Sequence, residues 1–246
     1  MGRARAGGGV VVTATWPRET DPLDAILRFA LAEFGADLTF ATSLGIEDMV
    51  VLDALVGVGA ARGLGLPSVF FLDTGRLHEE TYELLERTRA RYGVTVDVFF
   101  PDTVHVEDLV RRQGINGFRA SVEARKACCA VRKVSPLARA LSGKRAWLTG
   151  LRREQSVTRS GVELFERDGD RWKINPLAAW TQAELEAYVS AHDVPTNPLH
   201  GRGFPSIGCA PCTRAVAPGE DVRAGRFWWE SAEHKECGLH SHGGAR

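Results

Sequence analysis

The stretch that decides the fold of this chain is Leu38-Thr39-Phe40-Ala41-Thr42-Ser43-Leu44-Gly45-Ile46-Glu47-Asp48. It begins as a short apolar run, which is typical of a buried strand, passes through a turn that contains Ser43 and Gly45, and then opens a helix. A strand, a turn and a helix in this order form the repeating unit of a parallel α/β sheet. The stretch therefore predicts an α/β fold.

The same alternation continues along the chain in both directions. Asp21 and Pro22 predict the start of an entry helix, because proline is favoured at the first helical position. Short apolar runs predict further strands at residues 69–72, 94–100 and 146–149, and a pair of extended runs ends near residue 177. Helices are predicted near residues 47–55, 78–91, 105–112, 131–141 and 181–192. This pattern indicates a doubly wound, mostly parallel sheet, which binds ligands at the carboxyl ends of its strands.

The chain divides into three parts by composition. Residues 1–20 combine glycine, arginine and proline without apolar periodicity and are predicted to form a disordered tail. Residues 21–215 carry the α/β pattern, and their length suits one domain. Residues 216–246 are predicted to form an irregular, mobile C-terminal tail.

The composition excludes several classes of function. Lys plus Arg and Asp plus Glu both number 31, so no chain-wide cationic field exists to hold nucleic acid or an anionic membrane. No apolar run reaches the ~20 residues that a membrane span needs. We therefore expect a cytoplasmic protein with no nucleic-acid or membrane partner, and the sequence leaves homo-oligomerisation open.

Two strand ends carry candidate ligand-binding residues. Ser43, Gly45, Glu47 and Asp48 lie where a strand meets a helix, and free helix amides with a hydroxyl and a glycine form a small anion cradle. This turn has neither a Walker lysine nor a GxGxxG motif. The second strand ends with Leu72-Asp73-Thr74-Gly75. In both places simple helix capping would explain the same residues.

An arginine-rich loop follows the strand predicted at 146–149. Beginning at Gly150, it supplies planar donors and polar side chains suited to phosphate or sulfate: Arg152, Arg153, Gln155, Ser156 and Arg159. The alternative is a solvated turn. Arg223 and Arg226, close to the last cysteine, could close over a polyanion or be ordinary surface charges.

Four of the five cysteines form two pairs, Cys128-Cys129 and Cys209-Ala210-Pro211-Cys212. Adjacent Cα atoms are ~3.8 Å apart, below the usual disulfide window of ~4.4–6.8 Å, so a vicinal disulfide is disfavoured. Four thiolates suit zinc or an iron-sulfur cluster, and a cluster accepts adjacent cysteines more easily. The alternative is four buried cysteines that act as small hydrophobic residues.

The fifth cysteine, Cys237, lies near the C-terminus with no partner in this set. Lys235, His234 and His240 stand close to it in sequence and favour the thiolate form. A nucleophile on a mobile tail is one interpretation, and an incidental surface cysteine is the other.

Together, these motifs resemble the phosphoadenylyl-sulfate reductase family, in particular its iron-sulfur branch of assimilatory adenylyl-sulfate reductases. The resemblance runs from Leu38 to His240 and includes Arg132-Lys133 and the run from Ser206 to Thr213. The first motif departs from it, because relatives often carry a further small residue or glycine there.

The resemblance implies an adenine-nucleotide α-hydrolase-like fold of the pyrophosphatase-loop type. It implies one 4Fe-4S cluster on the two cysteine pairs, and adenylyl sulfate bound by the two strand ends, the arginine loop, Arg223 and Arg226. It further implies Cys237 as the nucleophile, with Lys133 and His240 as catalytic residues, and reduced thioredoxin or a similar dithiol protein as the partner that releases sulfite.

Three alternatives remain at this point. The substrate could be, or include, 3'-phosphoadenylyl sulfate. An ATP-dependent adenylating or sulfur-transfer enzyme on the same fold would need a Ser-Gly-Gly-x-Asp-Ser turn, which the run from Ser43 to Asp48 does not supply. A zinc-stapled binding module would leave Cys237 incidental.

Overall fold

Six strands form one sheet in the computed structural model, which describes residues 15–63 and 65–231. The sheet order is β3-β2-β1-β4-β6-β5. The strands are β1 (Leu38–Thr42), β2 (Ser68–Leu72), β3 (Val96–Phe99), β4 (Ala146–Leu148), β5 (Phe165–Asp168) and β6 (Arg171–Ile174). All neighbouring strands pair in parallel except β5 and β6, which form an antiparallel hairpin at one edge. The predicted mostly parallel sheet is confirmed.

The helices lie between the strands as the alternating pattern predicts. They are α1 (Leu23–Phe34), α2 (Ile46–Arg62), α3 (Glu79–Tyr92), α4 (Thr103–Gln113), α5 (Val122–Cys129), α6 (Ser135–Ala140) and α7 (Gln182–His192). Pro22 is the N-cap of α1, one position later than Asp21, which the sequence suggested. Helix α7 begins with a capping box, since Thr181 and Glu184 each accept from the other's backbone N–H.

The helix predicted at 131–141 was placed wrongly at its start. Ser121 caps α5 by accepting a hydrogen bond from the N–H of Ala124, so helical structure begins nine residues earlier. One π-helical turn, Ala130–Val134, joins α5 to α6. Apolar spacing did not reveal α5, because this helix carries arginine, lysine and cysteine where a sheet-packing helix carries aliphatic residues.

The main core lies between the sheet and helices α1, α2 and α3. Helix α2 is buried along most of its length, and Met49, Val51, Leu52 and Leu55 are fully covered. The long apolar run of α2 explains why the chain can bury β1 at the centre of the sheet. A second, smaller cluster covers the other face, where α6 packs on β2 and β4. The carboxyl ends of β1, β2 and β4 therefore lie side by side, with the main core on one face of the sheet and the smaller cluster on the other.

The described part of the predicted C-terminal tail, residues 216–231, lies against the α/β body. Thr213 and Arg226 form an isolated antiparallel bridge, and the N–H of Val216 donates to the carbonyl of Gly203. Phe227 is buried. The division of the chain at residues 20 and 215 stays a prediction. Within the described residues, no helix has the length and apolarity to cross a membrane.

Candidate functional site

A cavity of about 620 Å³ opens at the carboxyl ends of β1, β2 and β4. This is the edge of the sheet where the sequence predicted a ligand. Most of the predicted site residues line this cavity: Ser43, Gly45, Glu47, Asp48, Leu72, Thr74, Lys133, Gly150, Arg152, Gln155, Arg159, Cys209, Arg223 and Arg226. Four other predicted binding residues lie off its described wall: Asp73, Gly75, Arg153 and Ser156.

Asp48 joins the first turn to the arginine loop. Its Oδ2 accepts hydrogen bonds from the N–H and the hydroxyl of Ser43, both at 2.6 Å, and its Oδ1 accepts from the N–H of Gly150 at 2.9 Å. Burial raises the pKa of Asp48 to about 6, although the hydrogen bonds from Ser43 and Gly150 act in the opposite direction. This carboxylate is therefore committed to holding two loops together.

Gly150 has no room for a side chain. A β-carbon there would stand 2.8 Å from the backbone nitrogen of Asp48 and 2.9 Å from Cβ of Glu47, and it would overlap Oδ1 of Asp48. Only glycine lets the strand end and the helix start approach this closely. The glycine that the sequence singled out for ligand contact thus has a packing reason of its own.

Arg152 is buried and directs its donors at protein groups. Its Nε and Nη2 donate to Oε1 of Glu47 at 3.2 and 3.0 Å. Nη2 also donates to Oε1 of Gln182 at 2.6 Å, and Nη1 donates to the carbonyl of Trp180 at 3.2 Å. The guanidinium thereby connects α2 to the start of α7. This geometry gives Arg152 a positioning role at the cavity wall, and its predicted contact with substrate stays a prediction.

The rest of the arginine loop is divided between the cavity and the outer surface. Arg159 lines the cavity and donates to Oε1 of Gln155, which also accepts from the N–H of Arg152. Arg153 instead pairs with Glu19 on the outside, and the hydroxyl of Ser156 lies 2.7 Å from that of Thr158. The predicted binding roles of Arg153 and Ser156 stay predictions, and both side chains have other partners.

The run Leu72-Asp73-Thr74-Gly75 supplies both wall and support. Leu72 and Thr74 line the cavity. Asp73 accepts from the N–H of Gly75 at 2.7 Å and from the hydroxyl of Tyr82 at 2.9 Å, so it shapes the turn after β2. Burial, together with the bond to Asp73, raises the pKa of Tyr82 to about 12.

Arg223 and Arg226 are buried and enter the cavity wall from the C-terminal segment. Nη1 of Arg226 donates to the hydroxyl of Ser206 at 3.3 Å and to the carbonyl of Ile207 at 3.1 Å. Its guanidinium crosses directly over Gly208, where a β-carbon would overlap it. These two cations are therefore built into the site.

The two cysteine pairs come together beside the large cavity. Cys128, Cys129, Cys209 and Cys212 line one small second cavity, and none of them is in a disulfide. Four cationic side chains line the same cavity: Arg76, Arg125, Arg132 and Lys133. The hydroxyl of Thr74 lies 3.2 Å from Sγ of Cys209.

The donor set of this second cavity fits a thiolate-bound group. Burial and, to a smaller extent, the neighbouring Cys209 raise the pKa of the Cys212 thiol to about 12, although Lys133 and Arg226 act in the opposite direction. Thiols in such a setting bind metal by giving up their protons, and the surrounding cations offset the negative charge that results. Within residues 15–63 and 65–231, no three His, Cys, Asp or Glu side chains stand in the geometry of a single metal ion.

Sequence reasoning missed several cavity-lining residues. Phe70 on β2 and Trp147 on β4 form part of an apolar floor, and only the alternation of side chains along each strand could have indicated them. Gln182 and Glu186 arrive from α7. His200 also lines the wall; its Nδ1 lies 2.9 Å from the carbonyl oxygen of Phe204, and burial lowers its pKa.

Two of the predicted catalytic residues, Cys237 and His240, lie outside the described residues.

Comparison with known proteins identifies relatives over most of the chain. A family model described as the phosphoadenosine phosphosulfate reductase domain matches residues 37–215. Adenosine 5'-phosphosulfate reductase from Burkholderia cepacia is 51% identical over 224 residues, which cover 90% of this chain and 87% of that protein. The protein of that name from Allochromatium vinosum is 53% identical over 206 residues, which cover 82% and 78% of the two chains.

Solved structures agree with the fold. The phosphoadenylyl-sulfate (PAPS) reductase from Candida auris superimposes with a TM-score of 0.66 at 27% identity, over 80% of this chain and 91% of that one. FMN adenylyltransferase from Candida glabrata, at 15% identity and a TM-score of 0.55, covers 87% of this chain and 71% of its own, and shares the fold alone. With the observed sheet order, these likenesses confirm the predicted adenine-nucleotide α/β fold.

Proposed function

Because this chain belongs to the phosphoadenosine phosphosulfate reductase family, we propose that it reduces adenylyl sulfate to sulfite and AMP, as a cytoplasmic step of sulfate assimilation. Relatives named for the adenosine 5'-phosphosulfate reaction match at about half of all positions over most of both chains, which favours this substrate.

The observation that carries the proposal is the wall shared by the two cavities. Lys133 and Cys209 line both the large cavity and the cysteine cavity. A nucleotide in the large cavity would therefore lie directly beside the cysteines. This juxtaposition suits an enzyme whose substrate carries its reactive sulfur on the 5'-phosphate of a nucleotide.

The large cavity suits adenylyl sulfate in both shape and charge. Its apolar floor, with Phe70 and Trp147, suits the adenine ring, and the turns at Ser43 and Leu72 offer backbone groups. Arg159, Arg223, Arg226 and Lys133 supply cations for the phosphate and sulfate oxygens. Asp48, Gly150 and Arg152 keep the loops in place through the contacts described above.

We infer that Cys128, Cys129, Cys209 and Cys212 hold one 4Fe-4S cluster. When bound, the cluster would supply structure and charge beside the cavity and need not change its redox state. Lys133, which lines both cavities, would stand between the thiolates and the substrate and neutralise part of the charge on each.

The nucleophile in this proposal is the thiolate of Cys237. It attacks the sulfur of adenylyl sulfate, the bond from that sulfur to the bridging oxygen breaks, and AMP leaves with the bonding electron pair. The product on the enzyme is a cysteine S-sulfonate. The cations of the cavity stabilise the charge that develops on the leaving phosphate, and His240 supports the nucleophile.

A reduced dithiol protein such as thioredoxin completes the cycle. One of its thiolates attacks Sγ of Cys237, and sulfite leaves with the electron pair of the sulfur–sulfur bond. The second thiolate then resolves the mixed disulfide and returns Cys237 as a thiolate. Two thiols become one disulfide while sulfur gains two electrons, so the electrons balance.

The proposal is tested by anaerobic turnover of the protein with adenylyl sulfate or 3'-phosphoadenylyl sulfate, with and without reduced thioredoxin. We expect stoichiometric sulfite and AMP from adenylyl sulfate when thioredoxin is present. A preference for 3'-phosphoadenylyl sulfate would assign the activity named for the Candida auris structure instead. No sulfite from either nucleotide would refute the proposed reaction.

A further inference from the structure

The most buried ion pair among the described residues joins the cysteine helix to the C-terminal segment. Nε of Arg125, on α5, lies 2.6 Å from Oε1 of Glu230, and the two side chains are only 1% and 3% exposed. Arg125 stands one turn before Cys128 and Cys129 and lines the cysteine cavity with them. The pair therefore connects the cysteine site directly to the chain that leads towards Cys237.

The same segment is fixed to the cysteine site at a second point. The ring of Phe227 is buried with Cys209 and Cys212, and the Arg125 guanidinium carbon lies 4.3 Å from its centroid. The N–H of Phe227 donates to the carbonyl of Cys212 at 3.1 Å. Phe227 has a φ of 42°, in the left-handed region that non-glycine residues rarely adopt, so surrounding contacts hold its backbone there.

We propose, on the basis of the function proposed above, that Arg125 is a positioning residue. Its ion pair with Glu230 fixes residues 227–231, the root of the C-terminal segment, on helix α5. This anchor sets the starting point from which Cys237 approaches the cavity. Oε2 of Glu230 is buried with no hydrogen-bond partner among the described residues, so this carboxylate depends on Arg125 for compensation of its charge. A buried charge left without its partner is strongly unfavourable, so loss of either side chain would release this root.

The position of the last anchored residue limits how far from the cysteine site Cys237 can lie. Cys237 follows Glu230 by seven positions in the sequence, which limits it to about 25 Å from that anchor. If the last anchor were instead the bridge at Arg226, the separation would be eleven positions and the limit about 40 Å. The volume open to Cys237 would then be larger, so the concentration of its thiolate at the cavity would fall.

The test compares Glu230→Gln and Arg125→Lys with a matched control. Lys173 and Glu166 form another buried pair, at 2.9 Å with side chains 6% and 12% exposed, on the β5–β6 hairpin. For each protein, loaded with its metal, we would measure the rate of S-sulfonate formation on Cys237 in a single turnover without thioredoxin, the affinity for AMP, the visible spectrum, and amide hydrogen exchange of residues 227–231.

We expect Glu230→Gln to slow S-sulfonate formation at least threefold and to speed exchange of residues 227–231, with AMP affinity and spectrum unchanged. Arg125→Lys, which keeps a charge, should show a smaller effect. Glu166→Gln should lower thermal stability without changing either rate. Equal slowing in Glu166→Gln, or unchanged exchange of residues 227–231 in Glu230→Gln, would overturn the positioning role. An absence of S-sulfonate in the unmutated protein would refute the proposed function instead. The exchange measurement would still show whether the pair of Arg125 and Glu230 holds residues 227–231 in place.

Discussion

The carboxylate of Asp48 binds the backbone of Gly150, 102 residues further along the chain, so closely that position 150 has no space for a side chain. The contact joins the first turn of α2, which follows β1, to the loop that follows β4, at the point where the large cavity opens. The shape of the cavity rim therefore depends on a single buried acid and on the absence of a β-carbon opposite it.

Gly150→Ala should disrupt this contact. The added β-carbon would meet backbone and carboxylate of Asp48, and neither can move without breaking the hydrogen bonds to Ser43. We expect a loss of about 1–3 kcal/mol in stability, in the range for overpacking, and at least tenfold weaker binding of AMP. Thermal unfolding and calorimetric titration measure the two effects. Gly161→Ala, where the β-carbon would stand in open space, is the control and should change neither.

Asp48 should make stability depend on pH in a defined direction. Its pKa in the folded protein is raised to about 6, so the folded chain binds this proton more tightly than the unfolded chain. Its contribution to the free energy of unfolding is then largest below about pH 4 and is lost as pH rises through 6. Relative to Asp48→Asn, the unmutated protein should lose about 1–2 kcal/mol between pH 5 and pH 8. Parallel denaturation profiles for the two proteins would contradict this.

Removal of Arg152 should lower both stability and nucleotide binding, whereas removal of Arg159 should lower nucleotide binding alone. Arg152→Ala leaves the carboxylate of Glu47 without its partner, so we expect a destabilisation of about 3–5 kcal/mol together with weak nucleotide binding. Arg159→Ala should weaken binding of AMP and adenylyl sulfate about tenfold with little change in thermal stability. If Arg152→Ala keeps the melting temperature of the unmutated protein, its contacts to Glu47 and Gln182 do not support the fold.

The cysteine site should be tested by its metal content. Anaerobically purified protein should be brown and contain iron with acid-labile sulfide, and Cys209→Ser or Cys128→Ser should lose both. Cys237→Ser should keep the colour, which makes it the matched control. Stoichiometric zinc without sulfide would show that the group is not an iron-sulfur cluster and would favour a structural metal.

Cys237→Ser should separate binding from chemistry. We expect this variant to bind AMP as the unmutated protein does, yet to form no covalent intermediate and to release no sulfite. In the unmutated protein, incubation with adenylyl sulfate without thioredoxin should add the mass of one SO₃ group, which peptide mapping places on Cys237. An adduct on Cys128 or Cys129 would exchange the roles of the cysteines.

The sequence was sufficient for the sheet and for the edge where the cavity lies, because strand-turn-helix units repeat with clear apolar runs. It could not separate residues that line the cavity from residues that support the wall. Arg152 and Arg159 belong to one arginine-rich loop, but the structure buries Arg152 against Glu47 and leaves Arg159 on the wall. That difference depends on helix α7, which is distant in sequence and provides Gln182.

Contacts between distant segments were likewise invisible in the sequence. Nothing near Arg125 in the sequence indicates that it pairs with Glu230, 105 residues later. Arginine and glutamate both usually lie on the protein surface. Helix α5 itself was missed, because the periodicity of apolar residues describes packing on the sheet, whereas α5 packs around the cysteines. Sequence patterns reveal the main core better than they reveal a site built from several loops.

The π-helical turn at Ala130–Val134 has a consequence for how length variation is tolerated here. Such a turn contains one residue more than an α-helical turn, and each residue of an α-helix advances by about 100°. Deleting one residue would restore a continuous α-helix and rotate Leu137 and Ala140 of α6 away from β2 and β4, or else rotate Cys128 and Cys129 away from their partners. With the extra residue, α5 can face the second cysteine pair while α6 faces the sheet, which a continuous α-helix could not do. This turn should therefore tolerate insertions and deletions less well than the loops on either side.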